Sequence, residues 1–411
     1  MGTHNHHHDY NFGEKFQFAG IAKILSLVGI AVGIVAVAIG LLSSEHIMVE
    51  RTYANLLLMG YYFTCVCAAG AFFLALQNVT QAAWPTGLLR IPQAMASVLP
   101  IAAAVLFLVV AAGLLTGNLY HHWNAEGLTD PESANFDHLV SWKSSFLNIP
   151  SFLVRQVLFM GAYSILGVVL AKLSYKEDFQ GGLDSYKKAF KRSALFLVIF
   201  GFTTPIWMFD TIMSLEAHWF STMFGWYNFA AMWVSGLAAI TVVVILAKKA
   251  GYFPWVNENH LHNLGMLMFG FSIFWTYVWF AQFMLHWYAN MPEETVYFYK
   301  RWEPEYKPWF WLNIVVNFLA PLLILVDRDT KRKQNVMLFV AILLLCGHWL
   351  DFYIMIMPGT VESHRGFGFI EIGTAIGFVG LFTFFVLSKL SKHGLAPKNH
   401  PFMEESLNHQ I

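Results

Sequence analysis

Ten stretches of the chain are long and apolar enough to cross a membrane. A membrane-spanning helix needs about 20 mostly apolar residues. Ten segments of the 411-residue chain meet this requirement, namely 19–42, 54–77, 91–116, 151–172, 192–214, 221–247, 262–286, 309–327, 335–357 and 366–389. The sequence therefore predicts an all-α integral membrane protein with ten transmembrane helices.

The composition excludes a soluble protein of this size. Charged residues make up 12% of the chain and apolar residues 57%, against roughly 25% and 45–50% in globular proteins. So few polar side chains cannot cover the surface of a soluble chain of this length. The many Trp and Tyr residues suit the boundary between lipid and water.

The distribution of Lys and Arg predicts the orientation. Counting the loops and the terminal residue of each span, the side that holds both chain ends carries 17 Lys and Arg, and the other side carries 6. By the positive-inside rule, both termini are cytoplasmic. We therefore expect a cytoplasmic polar segment at 1–18, one membrane domain at 19–389 and a cytoplasmic tail at 390–411.

The predicted outer loops are acidic. They contain twelve Asp and Glu against six Lys and Arg. Such a face suits the docking of a positively charged partner, although a solvated acidic loop gives the same pattern. In the seventh loop, Asn290 to Glu293 forms a capping-box pattern that predicts a short helix outside the membrane. Pro100, Pro205 and Pro321 fall inside spans and are expected to kink them.

Several functions are excluded by what the chain contains. The formal net charge is zero, which does not suit a nucleic-acid-binding protein. Its three cysteines lie in apolar stretches without the spacing of a disulfide framework, an iron–sulfur site or a c-type haem attachment. Only His286 and His348 lie well inside spans, so we expect no haem and no redox centre in this chain. We expect no functional metal site at His4, His6, His7 and His8.

Ionisable residues gather near the outer ends of the spans. A charged side chain at the bilayer centre costs roughly 2.5–3.5 kcal/mol, so each one requires a reason. The residues concerned are Arg155, Asp210, Glu216, His218, His286, His348, Asp351 and Glu371. His348 and Asp351 are three residues apart, and Gln282 and His286 four apart, so each pair shares a helix face. The pattern predicts a polar pocket that faces the outer leaflet.

Quinol oxidation requires such residues. A quinol loses two protons with its two electrons, so its hydroxyls need a carboxylate or imidazole within hydrogen-bond reach. A proton path along the helices requires the same residue types. The alternative is that these groups only pair with one another and with Arg155.

A weaker set of polar residues lies near the inner ends of the spans. It consists of Lys23, Gln77, Gln93, His260 and Asp327. These residues could begin an inner half-channel, but residues at this depth are more often interfacial anchors.

Spans five and nine contain a similar pattern. Trp207 precedes Asp210 by three residues, and Trp349 precedes Asp351 by two, near the predicted outer end of each span. The two acids are separated by about four spans, which is weak support for a four-helix repeat.

Several longer segments resemble one family. The chain is similar to ActF-type subunits of bacterial alternative complex III in HLHNLG (260–265), FWTYVWFAQ (274–282), WYANMPEE (287–294), FDTIMSLEAHWFST (209–222) and GWY (225–227). NIVVNFLAP (313–321) and HWLDF (348–352) through Pro358 resemble the wider NrfD/PsrC class of membrane subunits. The similarity extends over nearly all ten spans.

The resemblance implies a respiratory role in the bacterial inner membrane. Members of the family belong to complexes that pass electrons from menaquinol or ubiquinol to cytochrome c or a high-potential iron–sulfur protein. The resemblance implies two four-helix bundles, spans 2–5 and 6–9, with spans 1 and 10 outside them. It implies a second NrfD-like subunit of the ActC type, a multihaem cytochrome c subunit and an iron–sulfur subunit as partners, which carry the haems and clusters.

The resemblance gives the polar pocket one of two roles. In the family the quinol site is usually assigned to the ActC-type subunit, so here the pocket is a secondary quinone site or part of a proton path. Asp210, His286, His348 and Asp351 are the expected proton-handling residues, with Glu371 and Arg155 beside them. Two further readings stay open: a structural anchor without a proton or quinone role, and a proton-coupled secondary transporter. Transporters, however, place their sites near the bilayer midplane.

Overall fold

The computed structural model describes residues 10–410, and within them ten helices have the length and composition of membrane spans. Their bounds are α1 Gly20–Leu41, α2 His46–Val79, α3 Arg90–Leu115, α4 Ile149–Glu177, α5 Asp184–Leu215, α6 Met223–Lys249, α7 Glu258–Ala289, α8 Lys307–Leu325, α9 Gln334–Gly359 and α10 Phe369–Leu390. No β-strand occurs in this range. The prediction of an all-α protein with ten long apolar helices is confirmed for these residues. The histidines at positions 4, 6, 7 and 8 lie outside the described residues.

Several helices are longer than the apolar stretches that predicted them. Helix α2 has 34 residues, and α5 and α7 have 32 each. About 20 residues cross a bilayer at 1.5 Å per residue, so these helices must extend beyond it. The first two turns of α5, with the exposed Lys187, Lys188 and Lys191, form one such extension.

Helices α2 and α6 occupy the centre of the molecule. They are the most buried of the ten spans and contact each other. Helix α2 also packs on α3 and α5, and α4 packs on α3 and α5. Helix α6 packs on α7 and α9, and α8 packs on the same two helices. Helix α1 packs along α10, with a broad apolar surface left exposed.

The first described residues and the tail after α10 meet at one end of the helices, which we call the terminal face. The backbone N–H of Leu395 donates to the carbonyl of Glu14 (2.9 Å), and Lys15 pairs with Gly394. The tail continues across the helix ends: the Ser406 hydroxyl accepts from the N–H of Gly87 (3.1 Å). The opposite end, which we call the distal face, contains loops 116–148, 216–222, 290–306 and 360–368.

The short helix predicted in the seventh loop is present, but its predicted cap is wrong. The helix is Pro292–Arg301, and Met291 precedes it without a side-chain cap. Asn290 instead ends α7, in the left-handed conformation (φ 48°, ψ 39°). Asn tolerates this conformation better than most residues, and Pro292 suits the first helical position without a cap.

The three prolines lie inside helices. Pro100 and Pro205 fall within α-helical stretches that the structure assigns as continuous. Pro321 in α8 follows a π-helical turn, Val315–Leu319. A proline cannot donate to the carbonyl four residues earlier, so a wider turn at this point is a local adjustment to it.

Candidate functional site

Asp351 on α9 is held by donors from three other helices. Its Oδ1 accepts from the hydroxyl of Tyr227 and from Asn313 Nδ2 (2.7 Å). Its Oδ2 accepts from Trp275 Nε1 (2.8 Å). The side chain is fully buried. All three donors are neutral, and no ion pair to a Lys or Arg is formed by Asp351 within residues 10–410.

His348 lies one turn before Asp351 on the same helix. Its Nδ1 is 3.8 Å from Asp351 Oδ2, longer than a hydrogen bond. Both ring nitrogens are buried and lack a hydrogen-bond partner in the described part of the chain. An imidazole and a carboxyl group thus lie side by side in the interior. Buried polar groups are usually satisfied, so an unsatisfied imidazole requires an explanation.

Two asparagine side chains on α8 extend the hydrogen-bond network from Asp351. Asn313 Oδ1 accepts from Asn317 Nδ2 (2.6 Å). Asn317 belongs to the π-helical turn and is fully buried. Gly347 on α9 makes room for it, because a Cβ there would lie 2.3 Å from Asn317 Oδ1. Turns of this type occur frequently at functional sites.

Arg301 and Glu216 form a buried ion pair nearby. Arg301, at the end of helix Pro292–Arg301, is 1% exposed, and its Nη2 lies 2.7 Å from Glu216 Oε1. The same nitrogen donates to the carbonyl of Met355 on α9 (3.1 Å), one turn beyond Asp351. The guanidinium also lies over the ring of Tyr297, 3.3 Å from its centroid.

A small cavity separates the Asp351 cluster from this ion pair. It measures about 10 Å³, and its lining includes Tyr227, Gln282, Arg301 and Asn313. This volume suits about one water molecule. Gln282 Oε1 and Arg301 Nε are buried and lack a hydrogen-bond partner among the described residues, so a water here would find an acceptor and a donor. A quinone ring does not fit in this space.

Asp210 has a different environment. It is fully buried, and both of its oxygens accept from Arg155 on α4, at 2.7 Å from Nε and 2.9 Å from Nη2. Arg155 Nη2 also donates to the carbonyl of Phe146 (3.0 Å) and the guanidinium stacks on the Phe146 ring. Two parallel bonds of this type fix geometry strongly. The pair therefore joins α4 to α5.

Glu371 is paired away from the other acids. Its Oε1 accepts from Arg51 on α2, at 2.6 Å from Nη2 and 3.1 Å from Nε. Its Oε2 accepts from the N–H of Gly368 (2.7 Å), which caps the start of α10. Glu371 thus connects α10 to α2 and satisfies a helix terminus.

The hydrogen bonds of His286 define its tautomer. Nδ1 lies 2.7 Å from the carbonyl of Gln282, so it must donate. Nε2 then accepts from Trp219 Nε1 (3.3 Å). Both nitrogens are satisfied by a neutral ring. Trp219 also stacks on the ring of Tyr297, with centroids 3.9 Å apart, and Tyr297 contacts Arg301. Trp219 therefore lies between His286 and the Arg301 ion pair.

His218 and Asp137 pair on the surface of the distal face. His218 Nε2 lies 2.5 Å from Asp137 Oδ2, and Asp137 Oδ1 accepts from the N–H groups of Leu139 and Val140. Although partial burial raises the pKa of Asp137, the hydrogen bonds from His218 and the backbone outweigh it and leave the pKa below its usual value. Asp137 is the N-cap of the short helix His138–Lys143.

These contacts divide the predicted single pocket into separate groups. Asp351 and His348 lie together. Asp210 with Arg155, and Glu371 with Arg51, are self-contained ion pairs, and His286 is satisfied locally. The shared helix faces of His348 with Asp351, and of Gln282 with His286, are present as expected.

Sequence reasoning misses three residues that contribute to the site. In the sequence Arg301 is only one of the six Lys and Arg counted on the outer side, although Tyr297 and Arg301 are one helical turn apart in a short amphipathic helix. The contacts of Tyr227 and Trp275 with Asp351 cannot be predicted from the sequence, because aromatic residues are frequent throughout the spans. A sequence does not reveal which of them points its donor at an acid on another helix.

Two residues of the weaker inner set, Gln93 and His260, form ordinary local bonds. Gln93 bonds with Arg90 and Ser174 at the terminal face. His260 accepts from the N–H of Asn257 and contacts the hydroxyl of Ser406, so it caps the start of α7 and holds the tail.

Comparison with known proteins assigns no role to these residues. No protein-family model matches the chain, and no curated protein matches it.

Proposed function

We propose that this chain is a haem-free integral membrane subunit of a respiratory quinol:cytochrome c or high-potential iron–sulfur protein oxidoreductase, and that the Asp351 cluster carries protons in it. The observation that supports the proton role best is a buried carboxyl group and a buried imidazole in contact, without a Lys or Arg partner in the described chain. Permanent ion pairing fixes a carboxylate in one charge state. Asp351 lacks such a partner, which supports a role in proton transfer for it and not for the paired acids.

The groups around Asp351 form a candidate proton path between His348 and the distal face. Tyr227 and Asn313 both bond to Asp351 and both line the water-sized cavity. A water in this cavity reaches Arg301, whose partner Glu216 belongs to a loop of the distal face. The order of groups is thus His348, Asp351, Tyr227, cavity water, Arg301 and Glu216. From Asp351 onward, each member is a hydrogen-bonding group that can reach the next, and His348 lies 3.8 Å from Asp351 Oδ2 at the start of the path.

The water-sized cavity favours the proton path over a quinone pocket at this position. Quinol oxidation itself, with menaquinol or ubiquinol as the donor, then takes place on the partner subunit of the ActC type. The multihaem cytochrome c and iron–sulfur subunits receive the electrons. In this arrangement the chain contributes proton transfer and anchoring.

We further propose that α2–α5 and α6–α9 are two four-helix bundles with α1 and α10 outside them. The pairwise packing described above supports this division, because each set of four neighbours closes on itself. The terminal face is cytoplasmic, since the loops on that side carry most Lys and Arg. The membrane is the bacterial inner membrane, and the acidic distal face meets the outer redox subunits.

A structural role is supported for the two remaining acids. Asp210 with Arg155 and Glu371 with Arg51 are closed ion pairs that join neighbouring helices. Breaking a buried pair strands a charge, so these residues contribute to assembly instead of proton transfer.

The test of membership is to extract the chain gently from native membranes and identify what accompanies it. We expect a second NrfD-like subunit by mass spectrometry and c-type haem absorbance in the visible spectrum. A colourless chain that is alone or self-associated would contradict the proposal and favour a transporter, which binding of a solute by the isolated chain would then support.

A further inference from the structure

A second buried polar cluster lies at the terminal face, where α3, α4 and α5 meet the tail. Arg90 at the start of α3 is 1% exposed and forms an ion pair with Asp178, the residue after α4. Arg90 also donates to Gln93 Oε1 (2.9 Å), and Gln93 donates to Ser174 Oγ (2.8 Å). The positive charge of Arg90 is therefore already matched by Asp178.

Glu177 is the second acid beside this arginine. Its side chain is 3% exposed, and its Oε1 is buried without a hydrogen-bond partner within the described residues. The charged or titratable groups around it are Arg90, Asp178, Tyr186 and His400. Arg90 is the one cation among them at neutral pH, and Asp178 holds it. A buried carboxyl group without its own cation is more stable in the neutral, protonated form.

A cavity of about 10 Å³ adjoins Glu177. Its lining includes Glu177, Tyr186, Ser174 and His400. The hydroxyl of Tyr186 is also buried and without a partner in residues 10–410. The volume suits about one water, and two unsatisfied polar groups provide it with hydrogen bonds.

The C-terminal tail covers this cavity. Asn399 Nδ2 donates to the carbonyls of Glu177 (3.1 Å) and Asp178 (3.2 Å), and the N–H of Lys398 donates to Asp178 Oδ1 (3.1 Å). The ring of His400 stands edge-on to that of Tyr186, with centroids 5.5 Å apart. Residues 398–400 therefore close the cavity toward the terminal face.

We propose that Glu177 is a proton-binding carboxyl group at the terminal face, that one water bridges it to Tyr186, and that the tail controls access to it from the aqueous side. Glu177 and Asp351 lie toward opposite ends of the helices, so this proton site does not depend on the function proposed above. With a cytoplasmic terminal face, it exchanges protons with the cytoplasm.

The test is infrared spectroscopy of the full chain in lipid nanodiscs at pH 6, where an ordinary exposed Glu is almost fully ionised. Subtracting the Glu177→Gln spectrum from that of the unchanged chain is expected to leave a protonated-carboxyl C=O band. Glu405→Gln, which removes an exposed acid of the same tail, is expected to leave no such band. Carboxylate bands in the Glu177→Gln difference would mean an ionised Glu177 and would overturn the proposal.

Two further variants test the water and the tail without altering Glu177. Tyr186→Phe is expected to shift the C=O band to higher frequency, because the bridging water loses a partner. His400→Ala is expected to speed the deuterium shift of the same band after transfer to D₂O. An unchanged frequency would refute the bridge, and an unchanged exchange rate would refute control by the tail. If Glu177→Gln does not fold, the Tyr186→Phe difference spectrum assigns the band instead, because Glu177 is the carboxyl group that lines the cavity with Tyr186.

Discussion

Asp210 and Asp351 are both fully buried acids near the distal ends of their helices, and their partners differ. Asp210 has a bidentate arginine, whereas Asp351 has a tyrosine, a tryptophan and an asparagine. The arginine balances the negative charge of Asp210, whereas Asp351 is surrounded by neutral donors only. The sequence placed the two acids in similar positions after a tryptophan, but it could not predict this difference.

The two acids are therefore expected to differ in what their removal costs. Asp210→Asn leaves Arg155 with a buried, unpaired charge, and we expect a loss of about 3–5 kcal/mol in the free energy of unfolding. Asp351→Asn removes no ion pair and leaves unsatisfied hydrogen bonds, for which we expect about 1–3 kcal/mol. Thermal unfolding of both variants in the same detergent compares them. A lower melting temperature for Asp351→Asn than for Asp210→Asn would contradict the assignment.

Helices α1 and α10 approach each other closely at positions occupied by glycine and alanine. A Cβ on Gly33 would lie 2.5 Å from Gly377 Cα, and one on Gly373 would lie 2.5 Å from the Cβ of Ala36. Small residues four apart allow such contact in membranes, where packing, not water exclusion, holds helices together. The sequence contains these glycines, but it does not identify the partner of α1, which is the last span of the chain.

Gly33→Val is expected to separate α1 from α10. The added side chain overlaps the backbone of α10, at a cost of about 1–3 kcal/mol. Gly201→Val on α5 is the matched control, because nothing lies within 4 Å of a Cβ there. Disulfide crosslinking between cysteines introduced on α1 and α10 measures the contact. Equal crosslinking in both variants would show that the close approach does not hold the pair.

The docking of the tail is expected to depend on pH through His400. Burial, with a smaller effect of Arg90, lowers the pKa of His400 from 6.5 to about 4. The released tail therefore binds a proton more readily than the docked tail. Docking is fully stable above pH 6.5 and weakens as the pH falls from 6.5 toward 4.

Hydrogen exchange of residues 395–408, corrected for its intrinsic pH dependence, measures this effect. We expect protection to decrease by up to roughly 100-fold across that range. His400→Gln cannot be protonated and is the control. The same loss of protection in His400→Gln would assign the pH effect to another group.

For the whole molecule, the sequence predicted the number of spans and the helical class because hydrophobic length is a local property. The ten apolar segments correspond to the ten long helices, with ends extended where polar turns continue the helix. The distribution of the acids among partners was not predictable in the same way. It depends on which helices pack together, as in the contacts of Arg51 with Glu371 and Arg301 with Glu216.

The central claim is that protons pass through the Asp351 cluster, and coupled proton transfer by the intact complex tests it most directly. In proteoliposomes, quinol oxidation and proton appearance are followed together for the unchanged complex, for Asp351→Asn and for Glu126→Gln, an exposed acid of the distal face. We predict that Asp351→Asn assembles fully and lowers proton transfer by roughly 100-fold or more, whereas Glu126→Gln has no effect. Unchanged proton transfer in a fully assembled Asp351→Asn complex would contradict the account.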